Sequence, residues 1–152
     1  MNKQKLDFKK LENIYDSIGS FSEGLASVKK NDYYFHILPN GKPAYEERYD
    51  NIGSFSEGLA WAKKNNQNFH ILRNGKPAYE ERYGSTDSFS EGLAGVCKDD
   101  EYFHILPNGK PAYEERYDLS NDFSNGSAVV WQNGKQFSIR PDGTKIGRSK
   151  LI

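Results

Sequence analysis

Hydrophobic and polar positions along this chain recur with a period of 34 residues. FSEGLA begins at Phe21, Phe55 and Phe89, and a weaker copy, FSNGSA, begins at Phe123. NGKPAYEERY begins at Asn40, Asn74 and Asn108. Across the first three copies 21 of 34 positions are identical. The stretches between turn signals are only seven or eight residues long and rich in aromatic residues, which is the pattern of short strands. A helical repeat of the same length does not fit, because Asn-Gly-Lys-Pro interrupts the middle of each unit.

Two turn signals divide each unit. Asn40-Gly41, Asn74-Gly75, Asn108-Gly109 and Asp142-Gly143 form one series; Asn31-Asp32, Asn65-Asn66, Asp99-Asp100 and Asn133-Gly134 form the other. Both suit two-residue type I′ hairpins, whose central residues need positive φ. The first unit is therefore predicted as a three-stranded antiparallel meander of Gly24–Lys30, Tyr33–Pro39 and Lys42–Tyr49, with residues 50–57 leading to the next unit. Two-residue loops fix the register: Lys30 opposite Tyr33, Val28 opposite Phe35, Ala26 opposite Ile37, and Ile37 opposite Ala44. Neither face of such a sheet is purely polar, so both require cover.

The expected fold is all-β: four tandem 34-residue repeats whose sheets stack face to face, as an open stack or a small propeller-like ring. The whole chain, residues 1–152, reads as a single domain. Residues 1–20 form an N-terminal cap or partial repeat. Repeats follow at 21–54, 55–88 and 89–122, and 123–152 holds a degenerate fourth repeat with a C-terminal cap. Lys9–Asp16 aligns one period back from Pro43–Asp50, and Leu11–Asp16 is expected as a strand completing or flanking the fourth sheet. That sheet's own third strand, Thr144–Ile152, has lost the AYEERY pattern.

The unit, with its Phe-Ser-Glu-Gly-Leu-Ala strand at Phe21–Ala26 followed by Ile37, Gly41 and Lys42, resembles the bacterial WG (KWG) repeat over about residues 11–147. The family's Trp-Gly dipeptide is replaced by Tyr34-Phe35, Asn68-Phe69 and Tyr102-Phe103, which marks a divergent, FHI-type branch. The resemblance implies an all-β repeat used as an interaction or accessory module, and no single activity.

Composition narrows the function. Lys and Arg number 21 and Asp and Glu 21, a balance that argues against nucleic acid or an anionic membrane as partner. No apolar run reaches the ~20 residues of a membrane span. The polar start, MNKQKLDFKK, lacks the apolar core of a secretory signal. The single cysteine, Cys97, has no internal disulfide partner, which suits a reducing, cytoplasmic setting. The core is carried by 2 Trp, 10 Tyr and 9 Phe.

Candidate chemistry is repetitive too. His36, His70 and His104 occupy one equivalent position, and three imidazoles converging in a tight ring could ligate a metal. The simpler expectation is packing of each on Tyr45, Tyr79 or Tyr113, and no metal or other cofactor is assigned. Glu46-Glu47-Arg48 and its copies offer carboxylate pairs, but neighbours on a strand point to opposite faces and cannot share a substrate. They are expected instead to pair with Lys29, Lys30 and their equivalents. Tyr33, Tyr34, Arg48, Trp61, Arg82, Tyr102, Arg116 and Trp131 make up the candidate binding surface, since aromatic faces and guanidinium groups serve recognition. No catalytic constellation emerges. The sequence reading is a non-enzymatic scaffold, monomeric or homodimeric, that binds a protein partner. Its alternative is a lectin-like module with one weak small-ligand or glycan site per repeat.

Overall fold

The computed structural model describes residues 8–147. A short helix, α1 (Phe8–Ile14), precedes twelve strands arranged as four three-stranded antiparallel sheets in tandem. The first sheet holds β1 (Ser17–Ser22), β2 (Leu25–Lys30) and β3 (Tyr33–Ile37). The second holds β4 (Asn51–Ile52), β5 (Ala60–Lys64) and β6 (Gln67–Ile71). The third holds β7 (Ser85–Thr86), β8 (Ala94–Lys98) and β9 (Glu101–Ile105). The fourth holds β10 (Leu119–Ser120), β11 (Ala128–Gln132) and β12 (Lys135–Ile139). Among the described residues no strand pairing joins one sheet to another, and the strands do not close into a barrel.

The β2–β3 hairpin has the register its turn dictates: Lys30 opposite Tyr33, Val28 opposite Phe35, Ala26 opposite Ile37. Asn31 and Asp32 have φ of 53° and 69°, and Asn133 and Gly134 of 52° and 77°, the left-handed pair a type I′ turn requires. The Asn-Gly turn departs from expectation. Asn40 is not in the left-handed region; Gly41 alone is, at 85°. Leu38 N–H donates to the Lys42 carbonyl at 2.8 Å and Gly41 N–H to the Leu38 carbonyl at 2.8 Å, closing a three-residue loop. The Asn40 side-chain oxygen accepts from Lys42 N–H at 2.9 Å and holds the loop in this form. The extra residue moves Ile37 from Ala44 onto Pro43.

The expected third strand, Lys42–Tyr49, is consequently a bent arm. It touches β3 at two bridges, Ile37 with Pro43 and Tyr34 with Tyr49, and Ala44 N–H donates to the His36 carbonyl. The arm thus occupies the outer edge of β3, which would otherwise present unpaired backbone groups. Between its two ends, Tyr45, Glu46 and Glu47 loop away, and Arg48 Nη1 donates to all three of their carbonyls at 2.9–3.1 Å. The first strand of each sheet comes from the stretch expected as a connector: Asn51 pairs with Lys63 and Ile52 with Ala62. Residues 144–147 contain no strand, and the remainder of the expected Thr144–Ile152 strand lies outside the described residues.

The N-terminal segment does take the place of an earlier unit's arm, but as a helix. Leu11 packs on Gly41 as Tyr45 packs on Gly75, and the Tyr15 hydroxyl donates to the Gly41 carbonyl at 2.9 Å. The core runs continuously through the four units, one aliphatic-aromatic set per sheet. Ile37, Ile71, Ile105 and Ile139 are fully buried, as are Phe55, Phe89 and Phe123.

Candidate functional site

The joints between units are built from residues repeated almost without change. Two polar contacts recur at all three joints, and a third, from a tyrosine hydroxyl, at the first two. The Tyr49 hydroxyl donates to the Gly75 carbonyl, and the Tyr83 hydroxyl to that of Gly109 at 2.6 Å. Ser22, Ser56 and Ser90 donate from Oγ to the carbonyls of Phe55, Phe89 and Phe123 at 2.7–2.9 Å. The Glu23 carboxylate accepts from Glu57 N–H at 2.7 Å and Gly58 N–H at 2.8 Å. Glu57 does the same for Glu91 and Gly92, and Glu91 for Asn125 and Gly126. Each Glu-Gly turn has both residues at positive φ, 53° and 81° at Glu23 and Gly24. Two adjacent N–H groups then point the same way and form an anion-binding concavity. Sequence reasoning missed this ladder, although a Glu held at a left-handed turn position in three copies was a visible signal.

The three histidines belong to the same joints. Each is fully buried. His36 Nε2 lies 2.8 Å from the Gly53 carbonyl of the next unit and Nδ1 lies 2.6 Å from the Tyr45 hydroxyl. A carbonyl only accepts, so Nε2 carries the proton and Nδ1 accepts from tyrosine. His70 and His104 repeat this with Asp87 and Asn121 carbonyls. Each ring also stands 4.5–4.6 Å from the next unit's Phe55, Phe89 or Phe123. Burial lowers the His36 and His70 pKa to about 4, and lowers that of His104 as well. The structure therefore distributes the imidazoles over three joints with both nitrogens engaged; the described residues contain no cluster of metal-ligating side chains.

The candidate surface residues fall into two sets. Tyr33 and Arg48 line a groove of about 280 Å³ with Tyr15, Lys30, Phe35 and Pro43. One unit-pair further on, Tyr83, Lys98, Glu101, Phe103, Pro111 and Arg116 line an equivalent groove of about 270 Å³. The fourth unit carries its own version, bordered by Arg116, Tyr117, Phe137 and Lys145. The guanidinium carbons of Arg48, Arg82 and Arg116 stand 3.7, 4.1 and 3.9 Å from the ring centres of Phe35, Phe69 and Phe103, close cation–π contacts. Tyr33 is half exposed. Tyr34, Trp61, Tyr102 and Trp131 are half-buried on the opposite strand face, paired across the sheet with Lys29, His70, Cys97 and Gln136. They do not join the groove.

The expected ion pairs of the Glu-Glu-Arg motif are not what holds it. Arg48 turns into backbone carbonyls, and Glu47 Oε2 is buried without a hydrogen-bond partner. One copy-specific feature was not anticipated. Asp87 and Asp122 meet beside Gly95, where an added Cβ would lie 3.0 Å from Asp87 Oδ2 and 3.7 Å from Asp122 Oδ1. Burial first, and then the Asp122 carboxylate, raise the Asp87 pKa.

Comparison with known proteins accords with this architecture. Among solved structures the chain is similar to Kluyveromyces lactis Hsv2, a propeller-like protein. One form has loop 6CD replaced by a Gly-Ser linker (TM-score 0.54, 11% identity, covering 89% of this chain and 55% of that one). The form with complete loop 6CD gives a TM-score of 0.52 at 11% identity, covering 90% of this chain and 53% of that one. The chain thus spans about half the length of the solved chains it matches, and the likeness is one of fold. No curated protein matches in sequence. The sequence model of the WG containing repeat matches residues 12–34, 39–67 and 73–102, more than half of the chain. The chain belongs to the WG-containing repeat family.

Proposed function

We propose that the chain is a non-enzymatic scaffold that binds a protein partner along the grooves at the hairpin ends. The observation that carries this reading is the recurrence of one groove chemistry in the first and third units, an aromatic floor, a guanidinium stacked on it and a lysine beside it, with a variant in the fourth unit where Lys145 stands over Phe137. An extended partner segment bearing acidic and apolar side chains would meet like grooves in succession. Weak contacts in each would then sum through avidity. The histidines, Ser22, Glu23, Tyr49 and their copies are engaged in joints between units, which leaves the grooves as a repeated feature open to a partner.

The test is affinity capture from a bacterial cytoplasmic lysate. The comparison chain carries Lys30→Ser, Tyr33→Ser, Lys98→Ser and Glu101→Ser, all at exposed or groove-lining positions. The arginines are left intact, because Arg48 and Arg116 hold the arm carbonyls and their loss would deform the unit. The expected result is a protein retained by the native chain and lost with the variant at matched melting temperature. Retention of the same proteins by both would overturn the reading. A shift of Trp61 and Trp131 fluorescence with oligosaccharides, and no captured protein, would replace it with the glycan-binding alternative.

A further inference from the structure

The hairpin-end grooves share a floor and differ at the rim. Arg48 on Phe35 and Arg116 on Phe103 form the same stack, and Lys30 above Tyr15 and Lys98 above Tyr83 stand beside it, each 6.0 Å from the ring centre. The residue that faces position 30 and its equivalents across the hairpin changes with every copy: Tyr33, Gln67, Glu101 and Lys135. All four are exposed. Charge changes with them. Among the described residues the first groove is lined by Lys30 and Arg48 and by no carboxylate. The third is lined by Lys98 and Arg116 and by three carboxylates, Glu81, Asp99 and Glu101. At the positions of Glu81 and Asp99 two units earlier stand Asn13 and Asn31. Asp16 does not reverse the contrast: its carboxylate accepts from Asn31 N–H at 3.1 Å and borders a separate hollow with Glu12. In the fourth groove Arg116, Lys135 and Lys145 outnumber Glu115.

We infer that the partner of these grooves is an extended polypeptide segment of mixed charge, which sets acidic side chains against the first and fourth units and a basic side chain against the third. The inference rests on the groove reading above and deepens it. Arg48 and Arg116 are stacked on phenylalanine and clasped to their own arms through Nη1, so these cations are held in place with or without a partner. They give every such groove the same grip. Identical floors alone would let one segment bind in several positions, each a unit apart. The rim removes that freedom. A segment displaced by one unit from the third groove to the fourth sets its basic side chain against Lys135 and Lys145, and the acidic side chain that belongs to the fourth, displaced the other way, meets Asp99 and Glu101. Like charges placed against each other are penalised more than opposite charges at an exposed rim are rewarded, so the copy-specific residues select one position of the partner.

Amide chemical shifts of the ¹⁵N-labelled chain, titrated separately with acetyl-Glu-Leu-Glu-amide and acetyl-Lys-Leu-Lys-amide up to about 20 mM, test the inference groove by groove. The acidic peptide is expected to move the Asn31 and Tyr33 amides with a half-saturation about fivefold lower than that of the Asp99 and Glu101 amides, the scale of one exposed charge contact. The basic peptide is expected to show the reverse order. A variant carrying Asp99→Asn and Glu101→Tyr gives the third hairpin the residues that the first already holds at those positions, which keeps the turn chemistry intact. Its third groove is expected to take the acidic peptide as the first does. The same order of grooves for both peptides, or a third-groove preference that the variant leaves unchanged, would overturn the inference and leave binding at the grooves standing. Neither groove responding to either peptide would overturn both.

Discussion

Each buried imidazole donates to a backbone carbonyl of the next unit and accepts from a tyrosine of its own arm, an arrangement that only the neutral ring satisfies. The folded pKa of about 4 at His36 and His70 lies below the ordinary value of 6.5. Between these values the unfolded chain binds more protons, so stability is complete above about pH 6.5 and falls as pH drops toward 4. Each such ring contributes on the order of 3 kcal/mol. Tyrosines act at the other end. Burial pushes Tyr49 and Tyr83 up to about 12 and Tyr45, Tyr79 and Tyr113 higher still, so stability falls again as pH rises above 10. Urea unfolding across pH should show a plateau between these limits, and His70→Gln should flatten the acidic slope while lowering the plateau. A glycine pair separates packing from backbone. Gly75 and Gly58 both have φ of 84°, but a Cβ at Gly75 would lie 2.3 Å from Tyr45 Cγ, whereas one at Gly58 meets nothing. Gly58→Ala should cost about 1–2 kcal/mol for the left-handed backbone alone, and Gly75→Ala about 3 kcal/mol or more once the clash is added. Denaturation midpoints of the two variants check this. The tyrosine partner of each histidine was legible from the sequence. Its carbonyl partner 17 residues on was not, because that contact depends on how one unit seats on the next.

At the scale of the element, the unit is a hairpin flanked by two unlike edges. The inner hairpin was legible because Asn31-Asp32 and its copies permit one tight turn with one register. The arm was misread because Asn40-Gly41 resembles the same signal, while Asn40 in fact caps Lys42 N–H and makes the loop one residue longer. That residue ruins the pleat alignment, and Pro43 together with the Arg48-clasped loop completes the break from strand geometry. The Glu-Gly ladder joins one such element to the next. Glu57→Gln removes a charged acceptor from Glu91 and Gly92 and should destabilise the chain by about 1 kcal/mol. Glu46→Gln, on the exposed arm, should change stability by less than about 0.5 kcal/mol. Thermal unfolding of both variants would show the difference.

Across the whole molecule, repetition makes stability a sum of unit and joint terms, and the joints are nearly identical. The repeat, its length and the face-to-face stacking were legible because periodicity survives in sequence regardless of detail. The likeness to propeller-like Hsv2 is one of fold. What was not legible is which repeated residues are spent inside the stack and which face outward. Tyr34 and Tyr33 are adjacent in sequence, yet they lie on opposite faces, and only Tyr33 borders a groove. The account's functional claim is that the grooves of the first and third units engage one partner. Benzoylphenylalanine placed at Tyr33, at Glu101 and at exposed Leu72 outside the grooves tests this directly by photo-crosslinking in cell lysate. The account predicts the same protein crosslinked from positions 33 and 101 and not from 72. Equal crosslinking from 72, or none from 33 and 101, would contradict it.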